Sequence, residues 1–229
     1  MFFIIKKKVI VCILSIVLFL MGIMCITRIS PASSFDIGKT IVIDAGHGGI
    51  DGGVIGENSQ VKESEINLAI SKCLEEFLVN AGYKVVMTRN TADSLKKGKL
   101  KDMEARRDII LKSSPDLVIS IHQNNYPRSY VKGAQVFYAP NGKSKDIAIK
   151  MQDILNDKLG NNRNAAKGDY YILQCSPFAS LLVECGFLSN PSEEALLVTP
   201  KYQQKVAYSI FCAVNHIFDI DRLMNDDIL

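Results

Sequence analysis

The chain has 229 residues, room for one domain of roughly 200 residues with an appendage but not for two full domains. Its apolar fraction of 48% supports a packed core and excludes a disordered chain. The formal charge of +3 misleads, because Lys6, Lys7, Lys8 and Arg28 stand in a stretch without Asp or Glu; setting those four aside leaves 23 basic against 24 acidic residues, a net of −1. A near-neutral remainder has no electrostatic reason to seek nucleic acid, and none is expected as a partner.

Three lysines precede an uncharged, apolar run from Val9 to Ile26, closed by Arg28. The run is about the minimum length for a spanning helix and slightly long for a secretory signal core. Leading lysines favour an inside N-terminus, which places the rest of the chain outside the cytoplasm. Residues 1–28 are therefore expected to be a signal anchor or a cleaved signal peptide, the latter served by the small residues of Pro31-Ala-Ser-Ser34. Residues 29–38 form a linker, 39–220 one folded domain, and 221–229 a C-terminal tail.

The domain opens with Thr40-Ile-Val-Ile-Asp44, a β-branched run that predicts a buried parallel strand, followed by the glycine-dense segment Ala45–Gly53. From Glu63 the apolar positions Ile66, Ala69, Ile70, Cys73, Leu74, Phe77 and Leu78 predict an amphipathic helix stopped by Gly82. Lys84–Thr88 reads as a strand. A lysine-rich stretch follows, with a helix through Met103, Arg106, Ile109, Ile110 and Leu111 that ends before Pro115. Leu117–Ile121 predicts a third strand that delivers His122 at its end, and Gln135–Tyr138 a fourth. Ile147–Leu159 is helical in pattern, Leu181–Val183 a buried strand ending at Glu184, and Tyr202–Phe218 a closing helix. Alternating strands and helices predict a single-domain α/β fold with a mostly parallel central sheet flanked by helices.

Of the chain's three histidines, His47 and His122 each follow the C-terminal end of a predicted core strand, the edge where open α/β sheets bind ligands. The first turn of the helix at Glu63 brings a carboxylate to the same edge, and Glu184 adds a second. Two imidazoles and one carboxylate are a familiar zinc set that leaves a position for water, and a further carboxylate beside it can take a proton as that water attacks a carbonyl. A lone strand-end histidine is more often structural; two with two acids favour a metal site more strongly. Rival motifs fail. The glycine loop lacks G-x-G-x-x-G spacing, and there is no Walker loop or G-x-S-x-G elbow. The Cys185 thiol beside Glu184 should be raised in pKa, not activated. Cys73, Cys175, Cys185 and Cys212 show no C-x-x-C spacing, which leaves their disulfide state open, and His216 reads as structural.

The segments Asp44-Ala-Gly-His-Gly-Gly-Ile-Asp-Gly-Gly53, Glu63, Thr88-Arg89, Ser120-Ile-His-Gln-Asn124 and Leu182-Val-Glu-Cys-Gly-Phe-Leu-Ser-Asn-Pro191 resemble the zinc-dependent N-acetylmuramoyl-L-alanine amidases in content, order and spacing, over about residues 40–218. The resemblance implies one zinc ion per chain held by His47, Glu63 and His122, with Glu184 as the catalytic acid that activates the attacking water and helps protonate the leaving amine. The bond cut joins N-acetylmuramic acid to the L-alanine of the peptidoglycan stem. Asn124 matches an asparagine two places after the second histidine. Ala45 stands where many members have proline. Gln123 stands where a smaller residue usually follows the histidine, positioned to narrow the site or alter metal affinity. Arg163 and Lys167 are candidates to meet peptide carboxylates.

The compact domain, the absence of wall-binding repeats, the N-terminal apolar segment and the segments Asn162–Lys167 and Tyr202–Ala207 look most like the spore-cortex, germination-specific amidases. That likeness implies muramic-lactam formation in the forespore intermembrane space of an endospore former. Peptidoglycan is the expected substrate, a membrane the expected partner of the N-terminal segment, and an accessory protein partner remains open. Two rivals are an idle peptidoglycan-binding scaffold and a zinc peptidase that cuts within the stem peptide.

Overall fold

Strand β1 (Thr40–Ala45) is an interior strand of a six-stranded sheet, and Ile41, Val42 and Ile43 have no exposed surface because their β-branched side chains are covered on both faces. The computed structural model describes residues 36–140 and 144–226; the Val9–Ile26 run and most of the linker lie outside the described residues. Along the chain follow α1 (Glu63–Asn80), β2 (Lys84–Met87), α2 (Lys99–Ser113), β3 (Leu117–Asn124), β4 (Gln135–Tyr138), α3 (Lys145–Leu159), β5 (Ala166–Lys167), α4 (Tyr171–Gln174), β6 (Ser180–Phe187), α5 (Pro191–Leu197) and α6 (Pro200–Asp226). The sheet order is β2-β1-β3-β6-β4-β5. Strands β1, β2, β3 and β6 run parallel, while β4 is antiparallel to β6 and carries β5 alongside it in parallel. This is the mostly parallel α/β architecture expected from the alternation of elements.

Two apolar layers sandwich the sheet. Ile41, Ile43, Ile119, Ile121, Leu181 and Val183 face one side, where α1, α3 and α6 cover them through Ile66, Ile70, Leu74, Met151, Leu155 and Ile210. Val42, Val118 and Leu182 face the other, against Ile110 of α2 and Ile172 and Leu173 of α4. Alternate residues of one strand thus enter different cores, the period-two consequence of the pleat.

Several boundaries move from their sequence-based positions. Strand β6 extends from Ser180 to Phe187 with all eight residues buried, so Glu184 lies within a strand and not at its end. Glu and Gly are poor strand formers, but pairing with β3 on one side and β4 on the other overrides local preference. His122 is likewise inside β3, which continues to Asn124 through a register shift. Part of the lysine-rich stretch forms the first turn of α2, and the closing helix runs on to Asp226. No described helix is long and apolar enough to cross a membrane. The four cysteines of the domain are free thiols.

Helix α5 is short, yet it fastens three loops. Asn190 caps it by accepting from the amides of Ser192 and Glu193, and its amide group donates to Ser129 O at 2.7 Å. Glu193 then accepts from Gly133 N and Phe187 N, and Glu194 from Asn58 N and Ser59 N. Replacing Asn190 by Ala should lower stability by about 1–2 kcal/mol in urea unfolding, through loss of the cap.

Candidate metal centre and active site

The loop after β1 places the first imidazole, and it does so against backbone preference. His47 has φ 59°, the left-handed region that non-glycine residues enter only when their surroundings enforce it. Two buried arginines supply the enforcement. Arg106 of α2 donates to Ala45 O at 2.8 Å and His47 O at 2.6 Å, while Arg89 donates to Ala45 O at 2.8 Å and Gly46 O at 2.9 Å. Arg106 also meets Asp44 Oδ1 and Asp102 Oδ2, each at 2.8 Å. Burial would raise the Asp44 carboxyl, but the Arg106 charge and hydroxyl donors Ser120 and Thr88 hold it below the usual carboxylate range.

Glu63, the first residue of α1, points its carboxylate at the same spot. It is 2% exposed and takes donors from several directions: Val54 N at 3.0 Å, Gln123 N at 3.1 Å and Asn67 Nδ2 at 3.2 Å. His122 Nδ1 lies 2.9 Å and His47 Nε2 3.4 Å from Glu63 Oε1. Burial pushes the Glu63 carboxyl up, but the imidazoles and their hydrogen bonds outweigh it, so the group is held well below its ordinary range. For His47, burial opposes the charged form, yet Glu63 and Asp51 raise it to about 9. Asp51 Oδ2 is 3.0 Å from His47 Nδ1, an ion-pair distance without hydrogen-bond alignment.

Two glycines make this approach possible. A β-carbon on Gly46 would stand 2.3 Å from the His122 ring, and one on Gly53 2.5 Å from Glu63 Oε2. Donor atoms of His47, Glu63 and His122 lie within 4.8 Å of one another. A tetrahedral ion with donors at about 2 Å sets them roughly 3.5 Å apart, so two imidazoles and a carboxylate at these spacings fit a divalent metal.

Glu184 stands beside the trio because β6 pairs with β3 in parallel and places it opposite His122. Its Oε2 is buried without a hydrogen-bond partner. Burial, with the Glu63 charge adding and the two histidines opposing, pushes its carboxyl up to about 7. All four residues and Asn124 line one cavity of about 440 Å³. The fold therefore gathers His47, Glu63, His122, Glu184 and Asn124 around one cavity. Lys167 is exposed on β5 and is not among the residues lining this cavity; Arg163 lines a neighbouring groove.

Gln123 lies on the wall of the same cavity, with its side chain turned away toward α1. It is buried, and its Nε2 donates to Asn67 Oδ1 at 3.1 Å while Asn67 Nδ2 donates to Glu63, so the larger residue helps to fix the Glu63 carboxylate. The Cys185 thiol is fully buried and pushed up by burial and by Glu184, in line with an inert side chain. Sequence reasoning missed Arg106 and Asp102 as supports; the one signal was the position of Arg106 on the apolar stripe between Met103 and Ile110.

The family described as N-acetylmuramoyl-L-alanine amidase matches residues 41–216. The chain belongs to this family. It is 36% identical over 192 residues to the germination-specific N-acetylmuramoyl-L-alanine amidase of Bacillus subtilis, covering 79% of this chain and 80% of that protein. Among solved structures, the CwlD amidase from Clostridioides difficile in complex with the GerS lipoprotein superposes with a TM-score of 0.75 at 34% identity, covering 80% of this chain and 99% of that one. The catalytic domain of CwlV from Bacillus (Paenibacillus) polymyxa var. colistinus gives 0.72 at 28% identity, over 79% and 98%. The fold is that of these amidases, and His47, Glu63 and His122, the trio that could hold a metal ion, sit within the matched region.

Arg106→Met should destabilise the protein by about 3–5 kcal/mol in urea unfolding, because it leaves Asp44 and Asp102 buried without their shared partner.

Proposed function

We propose that the chain is a zinc-dependent amidase that hydrolyses the bond between N-acetylmuramic acid and L-alanine in peptidoglycan. The observation that carries this reading is the convergence of His47, Glu63 and His122 on one point, with Glu184 facing the same cavity. Bound there, a zinc ion supplies Lewis acidity to the scissile carbonyl and acidifies water. His47, Glu63 and His122 hold the ion, and the bonds from Val54 N, Asn67 and Gln123 N keep Glu63 turned toward it. Glu184 receives the proton of the attacking water through its unpartnered buried oxygen. A C–O bond forms, the C–N bond breaks, and Glu184 delivers the proton to the departing nitrogen; the products are a lactyl carboxylate and a stem peptide with a free amino end. Asn124, on the cavity wall, orients the substrate.

Likeness to the Bacillus subtilis germination-specific amidase and to CwlD supports a role in the spore cortex, with the removed peptides preparing muramic-lactam formation. On that reading the enzyme acts outside the cytoplasm, in the forespore intermembrane space, tethered or exported through its N-terminal segment. The CwlD structure includes the GerS lipoprotein, which supports an accessory protein partner here as well. The complete His/Glu/His/Glu set argues against an idle scaffold.

Purified protein should contain zinc and release new amino groups from sacculi, with free peptides beginning in L-alanine by mass spectrometry; fragments cut inside the stem would instead identify a peptidase. Glu184→Ala should keep zinc and lose turnover by about a hundredfold to ten-thousandfold, the range typical of a general acid–base group. His122→Ala should lose both metal and activity, measured by metal analysis and the same digest. Spores of a deletion strain should lack muramic lactam, and unchanged lactam would rule out the cortex role.

A further inference from the structure

The strand order sets a row of side chains along the C-terminal edge of the sheet. His47 follows β1, His122 lies on β3, Glu184 on β6 beside it, and Gln135 on β4 is paired with Glu184. Arg163 comes next, its Nη2 donating to Gln135 Oε1 at 2.8 Å. This order gives the substrate a direction. On the amidase reading, the acyl half of the amide would stay over His47, Glu63 and His122, and the amine half would depart toward Glu184, the group that protonates it.

Beyond Glu184 in that direction a groove of about 420 Å³ shares Asn124 and Tyr170 with the central cavity. It runs past Tyr130 into a further hollow of about 540 Å³, and Arg163 lines both. The groove is basic: Arg128 and Arg163 line the first part and Lys132 the second, while the Glu193 carboxylate is occupied by Gly133 N and Phe187 N. Arg163 is held in place by its bond to Gln135 and by the contact of its guanidinium with the Phe187 ring, 5.2 Å from the centroid, with its Nε buried. Adjacent strands are about 4.8 Å apart, so two spacings carry the edge roughly 10 Å from Glu184, the span of two to three extended residues.

We propose that the stem peptide lies in this groove, with Arg163 and Arg128 receiving the free carboxylate two to three residues beyond the scissile nitrogen. The assignment rests on the amidase reading. It makes Arg163 a specificity residue for acidic stems and places the glycan on the opposite side of the metal trio, toward His47. Arginine suits the task because its planar fork matches a carboxylate.

Two muramoyl tripeptides that differ only in free or amidated carboxylates provide the test, together with calorimetric binding of the two corresponding released tripeptides to the zinc-loaded enzyme. The free-acid tripeptide should bind at least about tenfold more tightly than its amide. Arg163→Ala should collapse that ratio toward one, and Arg128→Ala, at an exposed position, should reduce it in the same sense. A ratio near one in the unaltered enzyme, or one that neither substitution changes, overturns the groove assignment. Cleavage of the muramoyl tripeptides is read separately: failure to cut either, with the binding ratio intact, sinks the amidase reading and leaves the peptide groove standing.

Discussion

Everything at the sheet edge depends on two guanidinium groups buried beneath one short loop. Arg89 and Arg106 together bind the carbonyls of Ala45, Gly46 and His47, and only with those oxygens held can His47 stay in its left-handed conformation and present its ring to Glu63. Two cations this close oppose one another. Burial and the Arg106 charge lower Arg89 to about 10, which still leaves it charged near neutrality. Burial disfavours the Arg106 cation too, but Asp44 and Asp102 more than reverse that. A lysine, a point charge on a flexible stem, could not serve two carbonyls and two carboxylates from one planar head.

That clamp has value because neighbouring backbones come unusually close. The His122 ring lies against Gly46, and the Glu63 carboxylate against Gly53, with no room for a β-carbon at either place. Three elements that are far apart in sequence therefore meet at one point: the loop after β1, the first turn of α1 and the end of β3. Parallel pairing of β1, β3 and β6 fixes their heights relative to each other, so the chemistry inherits its geometry from the sheet register. The glycine-dense loop, the buried strands and the arginines form one device.

Much of this could be read from the amino acids. The β-branched runs announced the central strands, the three-and-four spacing from Ile66 to Leu78 announced α1, and the sparse histidines stood out because both followed core strands. What escaped had no local signature. Strand β5 is two residues long and α4 four, so neither shows a period. Glu184 was misplaced at a strand end because its neighbours Cys185 and Gly186 argue locally against a strand, whereas partners on both sides impose one. Gln123 looked obstructive from its size; only the fold shows it turned toward Asn67. The antiparallel course of β4 is likewise a matter of connection, invisible to alternation.

The two glutamates show how the fold assigns different tasks to one residue type. Glu63 receives donors from a backbone amide on each of two segments, from an asparagine and from the imidazoles, and every one of them favours the carboxylate. It is therefore a fixed anion, suited to holding a cation and unsuited to carrying protons. Glu184 lies on β6 opposite His122, almost as deeply buried, with an oxygen that meets no donor. Desolvation dominates there, and the Glu63 anion adds to it. The position of each residue relative to backbone donors, not its chemistry, separates the fixed anion from the group poised to take up a proton. Exchanging the two roles would require moving the amides of Val54 and Gln123, and these are fixed by the sheet and by the loop that the arginines hold.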